Sequence, residues 1–80
     1  MTLKRFYNLF IKDLYSNGMI NFVERNNCNF TISNWQCSVN VIKDFNNKLL
    51  NKKVTNWCII EDEDYGFMLR IELTTKEQTK

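Results

Sequence analysis

The chain has 80 residues, 44% of them hydrophobic and eleven of them aromatic, and carries a net charge of +2. Length and apolar content describe one globular domain over residues 1–80, with room for a single small core and no second one, rather than a disordered chain. There is no histidine, no phosphate-binding glycine loop and no spaced acid–base pair, so the composition argues against an enzyme and calls for no cofactor.

Residues 2–16 read as a helix. Leu3, Phe6, Tyr7, Phe10 and Leu14 form one apolar stripe, Thr2 is placed to cap the first turn, and Asn17-Gly18 supplies a left-handed stop. Tyr7, Ile11 and Tyr15 make a second stripe that widens the buried face or offers a dimer interface.

Met19–Arg25 alternates as a strand with Ile20 and Phe22 on one side. Asn26-Asn27 then suits a two-residue turn, because asparagine tolerates positive φ. The return strand would set Cys28, Phe30 and Ile32 against Asn29, Thr31 and Ser33, completing a β-hairpin.

The segment after Trp35 fits two patterns. Cys37, Val39 and Val41 suit a strand, whereas Val41, Ile42, Phe45 and Leu49 behind Ser38 suit a capped helix. The helical spacing runs further, which predicts a helix from about residue 39 to 50. In the last third, Trp57-Cys58-Ile59-Ile60 reads as a strand, and Phe67, Leu69, Ile71 and Leu73 alternate with Met68, Arg70, Glu72 and Thr74. The expected fold is α+β in the order helix–hairpin–helix–hairpin (αββαββ), with an antiparallel sheet and the helices packed on one face.

Between the last two strands lies Glu61-Asp62-Glu63-Asp64-Tyr65-Gly66, which gathers four of the nine carboxylates onto one hairpin tip. A solvated turn that keeps the sheet soluble is the simplest reading. A rigid acidic tip also has the charge to imitate nucleic-acid phosphates and enter a basic groove. Calcium binding fits least, because so short a turn lacks the six to eight oxygens the ion requires. The candidate partner-binding residues are Glu61, Asp62, Glu63, Asp64, Tyr65 and Trp35. Trp57 is read as a core residue, and Trp35, set opposite Phe30 and Ile32, as the more exposed tryptophan.

Cys28, Cys37 and Cys58 are odd in number and form no CxxC pair. With no histidine to activate or join them, they read as packing residues rather than as nucleophile or zinc ligands. Reduced thiols, a start without a secretory apolar region and the lack of any long apolar run point to the cytoplasm and away from membranes. A nucleic-acid regulator would use Lys4, Arg5, Lys43, Lys48, Lys52 and Lys53, although the basic excess is small for phosphate binding.

Twelve asparagines and eight lysines against three arginines suggest an AT-rich genome. The layout Thr2-Leu3…Phe6-Tyr7, a short hairpin, Leu49-Leu50-Asn51-Lys52-Lys53-Val54-Thr55-Asn56-Trp57 and a hairpin around an acidic turn resembles small, mostly uncharacterised proteins of phages and mobile elements in low-GC bacteria. That group includes anti-CRISPR inhibitors. The resemblance implies a non-catalytic protein of the host cytosol that binds and inhibits a host protein or nucleoprotein complex, and it assigns no role to any single residue.

Overall fold

The computed structural model describes residues 1–12 and 18–74. Helix α1 (Leu3–Phe6) continues directly into a π-helical turn, Tyr7–Ile11. Strands β1 (Met19–Arg25) and β2 (Thr31–Ser38) follow, then a 3-10 helix (Val39–Asp44), helix α2 (Asn47–Leu50), and strands β3 (Lys53–Asp62) and β4 (Gly66–Thr74). The four strands form one sheet in the order β2-β1-β4-β3.

This architecture corrects the αββαββ expectation in two ways. First, the sheet is mixed rather than antiparallel. Each hairpin is antiparallel within itself, but the hairpins join through β1 and β4, which run parallel with Ile20 beside Leu69 and Phe22 beside Ile71. The join puts the two most apolar strands in the middle, where both faces and both edges are protected. Second, among the described residues the helical content is small and broken. The stretch from 39 to 50 splits at Phe45, whose backbone is extended (φ −64°, ψ 148°). Asn46 then starts α2 afresh by accepting the Leu49 N–H at its side-chain oxygen, 2.9 Å away. An asparagine in mid-helix competes for backbone hydrogen bonds in this way and favours a new cap over continuation. The break also releases the Phe45 ring to meet Phe22 (5.8 Å) and Trp35 (5.7 Å) edge-on. At the first helix, the Thr2 hydroxyl accepts the Arg5 N–H at 3.3 Å; the expected continuation through Leu14, Tyr15 and Ser16 lies outside the described residues.

The core occupies the sheet face covered by the helical segments. Leu3, Phe6 and Ile11 from the first helix, with Val39 and Ile42 from the 3-10 turn, close over Ile20, Phe22, Ile71 and Leu73. Every one of these side chains is buried, and each is worth roughly 1.5–3 kcal/mol on that account. Ile11 thus spends one-third of the proposed Tyr7–Ile11–Tyr15 dimer stripe on the fold, and Tyr7 packs half-buried against the same cluster; Tyr15 is not among the described residues.

The opposite face carries a polar ladder. Asn21 is only 4% exposed, yet both its Nδ2 and its Oδ1 find partners. Its Nδ2 donates to Asn34 Oδ1 (2.9 Å) and to the Trp35 carbonyl (3.2 Å), and its Oδ1 accepts from Arg70 Nε (2.8 Å). Three strands are tied in one register by a single side chain, because a one-residue slip would orphan each of these groups. Nearer the turn, Arg25 links Thr31 and Glu72 across the same strands.

Both edge strands carry a bulge: Ile32 is the extra residue of β2 opposite Glu24-Arg25, and Thr55 that of β3 opposite Glu72-Leu73. The first bulge, with a five-residue turn in place of Asn26-Asn27, reverses the expected phase of β2. Asn26 organises that turn, accepting the Cys28 and Phe30 N–H groups at its side-chain oxygen, while Asn29 takes φ 69°. Phe30 and Ile32 consequently lie exposed, and Trp35 turns inward to stack on Phe22 at 4.6 Å. The tryptophans therefore exchange their expected places, since Trp57 is 56% exposed. Replacing Trp35 with Ala is expected to lower the unfolding free energy by about 2–3 kcal/mol, and Trp57→Ala by about 1 kcal/mol or less, in urea titrations.

Candidate functional site

The most unusual surface among the described residues lies on the β3–β4 hairpin, on the same sheet face as the core, where large apolar side chains stay exposed. Period-2 alternation puts Trp57 and Ile59 of β3 and Phe67 and Leu69 of β4 on that face, with Trp57 beside Ile71, Ile59 beside Leu69 and Glu61 beside Phe67. The first helix covers only part of it. It is moored at the far end, where Leu3 N donates to the Lys52 carbonyl and Val54 N to the Met1 carbonyl, each at 2.8 Å. From there it advances along the hairpin, Phe6 meeting Trp57 (6.3 Å) and Phe10 (5.1 Å).

Ile59 is 61% exposed and Phe67 72%. Phe6, Phe10, Ile11, Trp57 and Leu69 line a cleft of about 230 Å³ between helix and hairpin. A cleft of that size and lining accepts an apolar or aromatic side chain. Contiguous exposure of this kind marks interaction surfaces in small soluble domains, whereas scattered apolar residues do not.

The acidic tip borders this surface. Glu61 ends the apolar row, and the turn through Glu63, Asp64 and Tyr65 closes on Gly66 at φ 78°, a left-handed conformation that glycine adopts without a Cβ penalty. Within the tip the four acids are not equivalent. Asp62 Oδ2 accepts the backbone N–H groups of Asp64 and Tyr65, each at 3.0 Å, so its carboxylate builds the turn. Glu61, Glu63 and Asp64 are exposed and make no such bond, and Tyr65 is half exposed beside them. The structure thus brings together Glu61, Asp62, Glu63, Asp64 and Tyr65. It does not bring Trp35 to them. Trp35 sits on β2, at the opposite edge of the sheet, half-buried among Phe22 and Phe45.

Sequence reasoning passed over Trp57, Ile59, Phe67 and Phe10 as surface residues. The alternation that put Trp57, Ile59, Phe67 and Leu69 on one face was visible. Nothing local revealed that Trp57, Ile59 and Phe67 would stay exposed on it.

The basic residues are more dispersed. Lys4, Arg5, Lys43, Lys48 and Lys53 are exposed, but Lys52 pairs with Glu24 on the core side of β1. Cys28 is exposed in the first turn rather than on a strand, and Cys37 and Cys58 are half-buried. Burial pushes the Cys37 thiol above its ordinary value. Among the described residues no group of three or more histidines, cysteines or acids is placed to hold a metal ion, and no helix is long and apolar enough to cross a membrane.

No family model, curated protein or solved structure matches the chain.

Two outcomes follow from this geometry. Asp62→Ala is expected to cost about 1–2 kcal/mol of stability, Asp62→Asn far less because its amide oxygen still accepts, and Glu63→Gln nothing measurable. In alkylation timed by mass spectrometry near neutral pH, Cys28 is expected to be modified first, with Cys37 slow because it is both shielded and held protonated. Equal rates for those two thiols would contradict the placement of β2.

Proposed function

We propose that this protein works by binding, and that the β3–β4 hairpin docks on the basic, nucleic-acid-holding surface of a host nucleoprotein machine and inhibits it. A CRISPR effector is the leading example of such a target. The observation that carries the reading is the juxtaposition at the hairpin: an open apolar row, Trp57, Ile59 and Phe67, bordered by three carboxylates that the fold does not use. An apolar row alone would suit many partners. Acids at its end select a partner whose own apolar site is rimmed with Lys or Arg, and they speed encounter with it. Grooves that hold nucleic acid have that basic rim.

In this mechanism Glu61, Glu63 and Asp64 occupy basic residues that would otherwise contact phosphates, while the aromatic and aliphatic row supplies the buried contact area that slows dissociation. Asp62 contributes indirectly, by fixing the turn on which the other acids stand. No chemical step is required of the protein, which accords with a chain that contains no histidine.

The test is a cleavage assay with a purified CRISPR effector, with and without the protein. Replacement of Glu61, Glu63 and Asp64 by their amides, with Asp62 retained, is expected to reduce inhibition at least about tenfold and to leave thermal unfolding unchanged. Ile59→Ala is expected to weaken it through faster dissociation. Full inhibition by the triple amide variant would rule out a role for the acidic tip.

A further inference from the structure

The two edges of the sheet are finished differently. Along the outer side of β3, Leu3 N–H donates to the Lys52 carbonyl and Val54 N–H to the Met1 carbonyl, with Thr2 bridged to Lys53 between them. The Thr55 bulge follows, and the strand ends in Glu61 and Asp62. Cover, a bulge and charge are the devices that keep an edge from pairing with another chain. Strand β2 forms the other edge, and among the described residues no strand adjoins its outer side. Its sequence contains no charged residue and no proline. The bulge at Ile32 sits near the turn and leaves residues 33–38 in unbroken register with β1.

The ladder decides which backbone groups face outward. Val39 N–H donates to the Gly18 carbonyl, one step beyond the Met19–Ser38 pair, and hydrogen-bonded pairs alternate from there. Ser33, Trp35 and Cys37 therefore direct N–H and C=O towards β1, in keeping with the bond from Asn21 Nδ2 to the Trp35 carbonyl. Asn34 and Gln36 direct theirs to the open edge. Side chains alternate in the same way. Trp35 lies on the core side, stacked on Phe22, whereas Asn34 and Gln36 lie exposed on the other face.

This edge matches a copy of itself. A twofold axis beside Trp35 and perpendicular to the sheet sets Asn34 of each chain opposite Gln36 of the other. Both are outward-facing positions, so each such pair exchanges two backbone hydrogen bonds. Trp35 then stands opposite its own copy in a non-hydrogen-bonded pair, the kind with the closer side chains, on the face where it is half-buried. No like charges oppose each other along the seam. From this geometry we infer that β2 is a dimerisation edge, at which two copies join antiparallel into one continuous sheet. A second copy suits the edge better than a foreign strand, because every position from Ser33 to Cys37 meets a matching one and a copy is present wherever the protein is. Closed twofold pairing is also the commonest symmetry of soluble oligomers.

The dimer goes beyond the inhibitory reading. Because β2 and β3 are opposite edges, joining at β2 leaves the apolar row and acidic tip of each copy uncovered. The two β3 strands then stand seven strand spacings apart, roughly 34 Å. A target with two matching sites at that separation is engaged bivalently.

Two measurements test the pairing. Analytical ultracentrifugation compares the wild-type chain with Gln36→Pro, which removes an outward N–H at the seam and is tolerated on an edge strand. The wild type is expected to dimerise below about 1 mM, the weak end of specific association, and Gln36→Pro, its fold verified by circular dichroism, at least about tenfold more weakly. In an equimolar mixture of isotope-labelled and unlabelled wild type, filtered NMR spectra are expected to link Trp35 Hα of one chain with Trp35 Hα of the other. Those spectra need only the wild-type chain, so they decide the matter even where Gln36→Pro does not fold. A wild-type chain that stays monomeric at about 1 mM overturns the proposal; rapid amide exchange at Asn34 and Gln36 would then leave the edge to a strand of another protein. A dimer whose interchain contacts fall on Trp57, Ile59 and Phe67, or one that a folded Gln36→Pro leaves intact, overturns it equally. None of these results depends on a target, so the inhibitory reading stands or falls separately.

Discussion

Everything distinctive in this molecule depends on the parallel pairing of β1 with β4. Each hairpin is a local structure, closed by its own turn, and a two-stranded hairpin is marginal in water by itself. The Ile20–Leu69 and Phe22–Ile71 pairs convert two such hairpins into one sheet with a continuous apolar face. The pairing is also the costliest contact to form, since it spans most of the chain and its loop must close before the contact is rewarded. Two devices hold it. On the covered face, Phe22 and Ile71 are wholly buried under the helical segments; on the other, Asn21 joins β2, β1 and β4 through three directed hydrogen bonds. The first device supplies most of the stabilisation. The second supplies register, because buried polar groups are tolerated only where every partner is in place.

That junction also explains why one surface is left open. With β1 and β4 central, β2 and β3 become edges, and the short helical segments have to cover four strands. Val39, Ile42 and Phe45 close over the β2–β1 side, where Trp35 is stacked and sheltered. On the β4–β3 side Phe6, Phe10 and Ile11 of the first helix meet Trp57 and Leu69, while Trp57 is half exposed and Ile59 and Phe67 more so. An 80-residue chain that keeps such residues exposed loses burial it could have used. The acids at the hairpin tip and the bulges in both edges limit nonspecific association through the same region. The exposed row Trp57, Ile59 and Phe67 thus stands next to the acidic tip on one sheet face.

Local features of the fold were legible in the sequence wherever a single element determined them. The Thr2 cap, the alternation of β4, the extent of β1 and the acidic turn could all be read directly. The failures share one physical cause, which is that the deciding contact lay elsewhere in the chain. The alternation of Cys28, Phe30 and Ile32 looked sound, but Asn26 nucleated a longer turn and the bulge at Ile32 shifted the phase. The apolar spacing from 39 to 50 suited one helix, yet Phe45 gained more from the Phe22–Trp35 stack than from helical continuity. Two hairpins in succession suggested an antiparallel sheet, whereas parallel joining of nonadjacent strands leaves no local mark. At the candidate site the same division holds. The acidic residues were found from their clustering, but the separate role of Asp62 and the exposure of Ile59 and Phe67 depend on the turn geometry and the helix placement.

The most direct test of this account is an NMR measurement of cross-strand contacts between β1 and β4 in uniformly labelled protein. The account predicts nuclear Overhauser effects in parallel register, linking the backbone of Ile20 with that of Leu69 and of Phe22 with that of Ile71, and slow amide exchange across both strands. Fast exchange along the β4-facing side of β1, or contacts that join the hairpins in antiparallel order, would contradict it. Either result would remove the arrangement that leaves Trp57, Ile59 and Phe67 open beside the acidic tip.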